Sequence, residues 1–340
     1  MSTSVIFPAQ PEQILKGLSK LWTSVGQEEK QQGKPTVLRA CAMTLIVATD
    51  EEDRGFESSQ VLSELMHEHP SRGIVLSVNE EVENGLEARV IAQCWKPFGK
   101  AQQICCEQIE IAANRQNWPN IVPTIIGIRV ADLPVVLWCR QRAALDPSAP
   151  DEIRSGLDSL MALANKIIIN SRGEPPTSVF PMLAKWKAQG RIVADLEWTR
   201  LTPWRQPISQ IFDNPGRENK FLNFDQIEIA YVGRSLSASV LYMGAWLSAP
   251  YGAGVSFVSA TGAIEGLHSV TLRSKSEVIT MERISEDTVD LHSTNGRERK
   301  YSLPELSFHA LMTEELAVLG SDPAFDAAFA RAQELVQDGQ

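Results

Sequence analysis

No stretch of this chain approaches the roughly 18 consecutive apolar residues of a membrane-spanning helix, so no transmembrane segment is expected. Cysteine is scarce. There are 5 in 340 residues, Cys41, Cys94, Cys105, Cys106 and Cys139, with no Cys-x-x-Cys pair and no Cys/His quartet, which argues against a zinc module or a dithiol redox motif. The odd count within apolar, strand-like runs reads as reduced, buried thiols. The N-terminal residues Met1 to Pro8 lack both a charged n-region and a long apolar h-region, so a cytoplasmic protein is expected. Basic charge is also in short supply: 32 Lys and Arg against 42 Asp and Glu leave a net charge of -10. That balance disfavours nucleic acid as the main partner, because phosphate binding needs a basic face.

Catalytic signatures are missing in the same way. Neither the P-loop pattern nor G-x-G-x-x-G occurs. The nearest approach, Gly252-Ala-Gly254, has Phe257 in place of the third glycine and follows Pro250-Tyr251, so it reads as a turn. His67 and His69 lie two apart, His268, His292 and His309 are isolated, and no HExxH exists, so no metal is expected. There is no G-x-S-x-G nucleophile elbow. Cys105-Cys106 is the sharpest redox candidate. Neighbours in a strand face opposite sides, however, and a bond between them would need strained geometry, so packing thiols are expected. Glu107 and Glu110, and Asp195 and Glu197, are carboxylate pairs, which do acid-base chemistry only where their environments separate their pKa values. Solvated or salt-bridged acids are the plainer reading. The chain is expected to hold no catalytic residue and no cofactor of its own.

What is present describes a globular protein. Hydrophobic residues make up 43% and charged residues 22%, enough to bury a sizeable core without disulfides or metals, and the length suggests two domains. Apolar residues at helical spacing predict a helix over 10–25, and Glu28 to Pro35 reads as a polar linker. Continuous apolar runs predict buried strands at 37–49, 73–78, 133–139 and 166–170. Two β-rich segments, 86–95 and 102–112, flank the turn signal Lys96-Pro-Phe-Gly99. Helices are expected at 56–68, 119–130, 151–164, 177–189, 235–247, 304–319 and 323–337. Further strands are expected at 191–195, 227–232, 254–258, 268–274, 277–283 and 288–292, with Asn295-Gly296 as a hairpin turn. This alternation predicts an α/β protein of two mixed domains, with partly antiparallel sheets flanked by helices. Ser171-Arg-Gly-Glu-Pro-Pro176 can continue neither element type. The expected division is therefore a helix and linker over 1–35, an α/β domain over 36–172 and a second over 173–340.

The densest segment is Asp195-Leu-Glu-Trp-Thr-Arg-Leu-Thr-Pro-Trp-Arg205. Trp and Arg are the side chains that most often anchor a partner, which makes Trp198, Arg200, Trp204 and Arg205 candidate partner contacts. The same residues also suit a structural role, with tryptophans filling a core and arginines paired to Asp195 or Glu197. Thr202-Pro203 reads as a helix cap followed by a first-turn proline, and Pro207 is expected to kink or delay that helix at a cost of about 3 kcal/mol.

This segment resembles the signature of the OpcA family, the bacterial glucose-6-phosphate dehydrogenase assembly proteins. So do His69-Pro-Ser-Arg72, Ala88 to Cys94, Ile104 to Ile109, Leu133 to Trp138, Tyr301 to Leu306 and Met312 to Leu316, in the same order over residues 40 to 320. Gln206-Pro207 departs from the family pattern, which continues with an acid and a leucine. The resemblance implies a non-catalytic protein that binds glucose-6-phosphate dehydrogenase, acts as assembly factor or allosteric activator, and supports the oxidative pentose phosphate pathway of carbohydrate metabolism. One rival reading is a sugar-phosphate-binding sensor or enzyme, with Arg72, Arg200, Arg205 and the glycine-rich segment 251–266 as donors. Another is a scaffold without effect on activity.

Overall fold

The computed structural model describes residues 6–31, 37–50, 56–78, 86–99, 102–212, 224–250 and 252–338. It divides into two compact units. One comprises the described residues through Ile169 with Trp186–Val193 and Phe308–Leu319. The other comprises Asn170–Lys185, Ala194–Ser307 and the chain from Gly320 onward.

The first unit is organised by a sheet of β1 (Ile6–Pro8), β2 (Leu38–Arg39), β3 (Met43–Thr49), β4 (Ser71–Val78), β5 (Leu86–Trp95), β6 (Ile104–Ala113), β7 (Val135–Cys139), β8 (Lys166–Ile169) and β9 (Ile192–Asp195). The spatial order is β1-β5-β6-β4-β3-β7-β8-β9, with β2 added on β6. The helices are α1 (Pro11–Gln31), α2 (Phe56–Leu65), α3 (Trp118–Ile128) and α4 (Asp151–Met161); α5 (Pro176–Ala188) belongs to the second unit through Lys185, and the chain from Trp186 to Val193 belongs to the first. Strands β6, β4, β3, β7 and β8 run parallel. Every residue of β3, β4, β7 and β8 is buried, as expected of parallel strands covered on both faces. Gly73 shows how tightly: a Cβ there would come within 2.5 Å of Leu62 and Met66 on the α2 side. With the antiparallel β5 set aside, β6, β4, β3, β7, β8 and β9 follow the spatial order 3-2-1-4-5-6 of doubly wound sheets, and the order reverses between β3 and β7.

The second unit holds α6 (Leu196–Thr199), α7 (Thr202–Phe212), β10 (Gln226–Val232), α8 (Ala238–Ser248) and β11 (Gly254–Ser259), then the meander β12 (Gly266–Arg273), β13 (Val278–Arg283), β14 (Thr288–Ser293) and β15 (Arg297–Ser302). The sheet order is β11-β10-β12-β13-β14-β15, antiparallel except for β10 on β11. Helix α8 packs on β10, β11 and β12. The chain returns to the first unit with α9 (Phe308–Leu316) and ends in the second with α10 (Pro323–Asp338), which packs on α8.

The α/β class and most elements match the apolar periodicity, and four points differ. The segment read as a linker from Glu28 continues α1 to Gln31, and its remainder lies outside the described residues. The single strand read over 37–49 is two, because Leu38–Arg39 pairs with β6 whereas Met43–Thr49 pairs with β4 and β7. Pro207 does not interrupt α7. The carbonyl its missing N–H would have bonded belongs to Pro203, in the first turn, so the proline forfeits a bond only at the helix entrance. Strands β1 and β15 are not legible in the sequence. Arg297-Glu-Arg-Lys-Tyr-Ser302 is too charged to show a strand pattern and is held in place by pairing with β14 across the Asn295-Gly296 turn, where Gly296 has φ +78°.

Candidate functional site

Doubly wound sheets bind ligands outside the carboxyl ends of their strands, where the strand order reverses. Here that point lies between β3 and β7, and side chains of the chain itself converge on it. Arg140, just past β7, donates from Nη1 to Ser58 Oγ at 2.8 Å and from Nη2 to Glu57 Oε2 at 2.7 Å, on the first turn of α2. Its guanidinium lies over the rings of Trp138 and Phe308, 5.1 and 4.8 Å from their centroids. Its backbone N–H bonds Ala48 O at 2.8 Å, and Gln141 Nε2 donates to Thr49 O at 3.0 Å.

A dinucleotide would lay its pyrophosphate on the N-terminus of the helix after the first strand, against a glycine-rich turn. After β3 this sequence reads Asp50-Glu-Glu-Asp-Arg-Gly55. Helix α2 then opens with Glu57, which pairs with Arg140. At the first turn of α2, Glu57 sets a carboxylate, paired with Arg140, at the helix end where a dinucleotide's phosphate would lie.

The Trp/Arg segment is built into the second unit. Asp195 ends β9 and caps α6. Its carboxylate is fully buried and accepts four hydrogen bonds: from Ser171 N (3.1 Å), Ser171 Oγ (2.5 Å), Glu197 N (3.1 Å) and Tyr242 OH (2.9 Å). Burial lifts its pKa to about 6, against the downward pull of the Ser171 hydroxyl, and the nearby Glu197 charge adds to the rise. Burial and Asp195 together push the Tyr242 phenol well above its ordinary value.

Glu197 forms an ion pair with Arg200 (2.9 Å), and Arg200 Nη1 donates to Leu306 O at 3.3 Å. Trp198 is buried, donates from Nε1 to Asp322 Oδ2 at 2.9 Å, and packs its ring against Tyr242 and Phe325. Arg205 lies over Trp198, its guanidinium carbon 3.8 Å from the ring centroid, and donates to Thr202 Oγ1 at 2.9 Å. Trp204 is also buried, beneath Arg283. The segment's tryptophans thus serve the unit's own core, and the acid Glu197 is taken by Arg200.

Sequence reasoning missed a second centre, in the first unit. Glu107 is 4% exposed and receives Arg72 through Nε (2.7 Å) and Nη2 (2.5 Å), Arg39 Nη2 (2.5 Å) and Trp22 Nε1 (2.5 Å). Arg72 Nη1 also donates to Ile128 O at 2.5 Å. Arg72, read as a possible phosphate donor, is therefore an interior counter-ion.

The expectation of reduced thiols throughout is corrected nearby. Cys94 and Cys105 face one another in the β5–β6 register with Cα atoms 4.1 Å apart, and they form a disulfide. The 11-residue separation shows no motif because the hairpin register alone brings the two together. Cys106, on the other face of the strand, donates to Ala40 O, and burial lifts its thiol to about 11.

Two family models match along the chain. The glucose-6-phosphate dehydrogenase subunit N-terminal domain, of the OpcA assembly type, covers residues 62–183, and its C-terminal counterpart covers residues 191–329. The chain belongs to the OpcA family. A protein of Synechocystis sp. named "Putative OxPP cycle protein OpcA" is 28% identical over 56% of this chain, and one of the same name from Nostoc punctiforme is 27% identical over 56%. The chain spans only 39% and 40% of the length of these relatives. Among solved structures, an oxidoreductase from Sinorhizobium meliloti superposes over 87% of this chain and 96% of its own with a TM-score of 0.48 at 8% identity, a likeness too distant to bear on function.

Proposed function

We propose that this chain is a non-catalytic partner of glucose-6-phosphate dehydrogenase that binds the enzyme and favours its assembled, active form. Membership of the OpcA family supports the choice of partner. The observation that supports the non-catalytic half is the crevice at β3 and β7, where Glu57 on the first turn of α2 pairs with Arg140. Substrate and NADP would then belong to the dehydrogenase. The mechanism is linkage: a partner that binds the active enzyme state more tightly shifts the population toward it, by no more than its differential affinity.

Trp198, Arg200, Trp204 and Arg205 enter this reading as the residues that hold the second unit's fold behind its binding surface. The three arginines of the sugar-phosphate reading, Arg72, Arg200 and Arg205, are all engaged within the chain, which favours the partner reading over it. Co-elution of the chain with the dehydrogenase at micromolar concentration tests the proposal, and separate elution with unchanged enzyme assembly contradicts it.

A further inference from the structure

The two outer strands of the second unit's sheet are unlike. At one edge, β15 carries Glu298, Arg299 and Lys300, all exposed, and charges of this kind keep an open edge from pairing with another chain. At the other edge, β11 reads Gly254-Val-Ser-Phe-Val-Ser259 and carries none. No charged residue occurs anywhere from Ser235 to Ile264. For α8, buried along most of its length, that is ordinary. For β11 it is not, because Gly254, Ser256, Val258 and Ser259 are exposed, Val258 at 44%.

The edge is also unpaired. Strand β11 is bound on one side only, in parallel register with β10, from Gly254 opposite Gln226 to Ser259 opposite Tyr231. Half of its backbone N–H and C=O groups therefore face outward, and no strand lies beside them among the described residues. The strand itself is held firmly. Val255 and Phe257 lie so close to α8 that a Cβ on Gly244 would come within 2.9 Å of the Phe257 ring and 3.0 Å of Val255.

The occupant of such an edge is another extended strand, because only a strand returns a row of backbone hydrogen bonds in register. The missing charge selects which strand. A strand that pairs with itself about a two-fold axis sets the residue at the axis against its own copy, and an uncharged strand does so without repulsion. We propose that β11 pairs antiparallel with β11 of a second copy of this chain, about a two-fold axis at Ser256 perpendicular to the sheet, so that two six-stranded sheets become one. This axis keeps α8 of both copies on the same face. Val255 of each copy then stands opposite Phe257 of the other, and a β-branched–aromatic pair forms twice across the seam. The pairing is independent of the dehydrogenase reading.

The test is analytical ultracentrifugation of the full chain over a range of concentrations, wild type beside Ser256→Lys and Ser256→Glu, with circular dichroism of all three. Ser256 is exposed and its hydroxyl donates only to Ile227 O at 3.4 Å, so both variants should keep the wild-type spectrum. Wild type should be a dimer at micromolar concentration. Each variant sets two like charges opposite one another and should raise the dimer dissociation constant at least about tenfold. An equimolar mixture of the two variants should dimerise again, because lysine then faces glutamate, a rescue that a damaged fold would not show. A wild-type chain that is monomeric throughout overturns the proposal, as do variants that dimerise like wild type or a mixture that stays monomeric. A monomeric wild type whose affinity for the dehydrogenase falls with Ser256→Lys would assign the edge to a strand of the enzyme and equally overturn self-pairing.

Discussion

The guanidinium carbon of Arg205 lies 3.8 Å from the centre of the Trp198 ring, so the cation of the Trp/Arg segment is spent on a buried tryptophan of the same chain. A cation held over a desolvated indole is worth about 0.5 to 2 kcal/mol. Arg205→Ala should therefore lower the melting temperature measurably, and Arg205→Lys should restore only part of it, because lysine lacks the planar face that stacks. Equal melting of Arg205→Ala and wild type would show that the stack contributes nothing. Trp204, buried beneath Arg283, should cost more on truncation, about 3 to 5 kcal/mol for Trp204→Ala by denaturant titration.

Glu107 makes a sharper prediction. Removing one partner of a buried ion pair strands the other charge and costs about 3 to 5 kcal/mol, whereas replacing both with apolar groups is often close to neutral. Arg72→Met alone should be strongly destabilising, and Arg72→Met with Glu107→Leu less so. Chemical denaturation of both variants decides it, and a double variant less stable than the single would contradict the reading of Arg72 as Glu107's main counter-ion.

Asp195 predicts a pH dependence. Its folded pKa of about 6 stands above the ordinary 3.8, so the folded state holds its proton more tightly than the unfolded chain does. The stabilisation from this group is fully present below 3.8 and is lost as pH rises through about 6. Each tenfold difference in proton affinity between the folded and unfolded states is worth about 1.4 kcal/mol. Relative to Asp195→Asn, wild type should gain stability as pH is lowered from 7 to 4. Parallel stability curves for the two proteins across that window would refute the assignment.

The crevice predicts that the isolated chain does not take up dinucleotide. Titration with NADP or NADPH, followed by calorimetry and by tryptophan fluorescence, should show no saturable binding at millimolar concentration. Saturable binding abolished by a substitution at Arg140 would overturn the reading of the Glu57–Arg140 pair.

The elements that can be read in advance are those whose signal is local. Leu45 to Ala48, Ile74 to Leu76 and Val135 to Trp138 are continuous apolar runs because both faces of a parallel sheet are covered. The stripe of Ile14 and Leu18 marks α1 for the same kind of reason. What stays hidden depends on partners distant in sequence. Arg72 and Glu107 are 35 residues apart, and nothing near either announces that they meet. Asp195 acquires its setting from Ser171 and Tyr242, which lie 24 and 47 residues away. The order of the sheet, and with it the crevice at Arg140, follows from which strand lies beside β3, a choice that no apolar pattern encodes. The Trp/Arg segment stands out by composition alone. Composition leaves open whether its tryptophans face a partner or a core, and burial places them in the core.

On the proposed function, this chain acts on glucose-6-phosphate dehydrogenase without performing its chemistry. Initial rates of NADPH production by the cognate dehydrogenase, measured with and without a saturating amount of the purified chain and for the chain alone, test it most directly. The expected result is no activity from the chain alone, and a raised rate or a lowered substrate requirement when the two are mixed. Turnover by the chain alone, or rates unchanged by its addition, would contradict it.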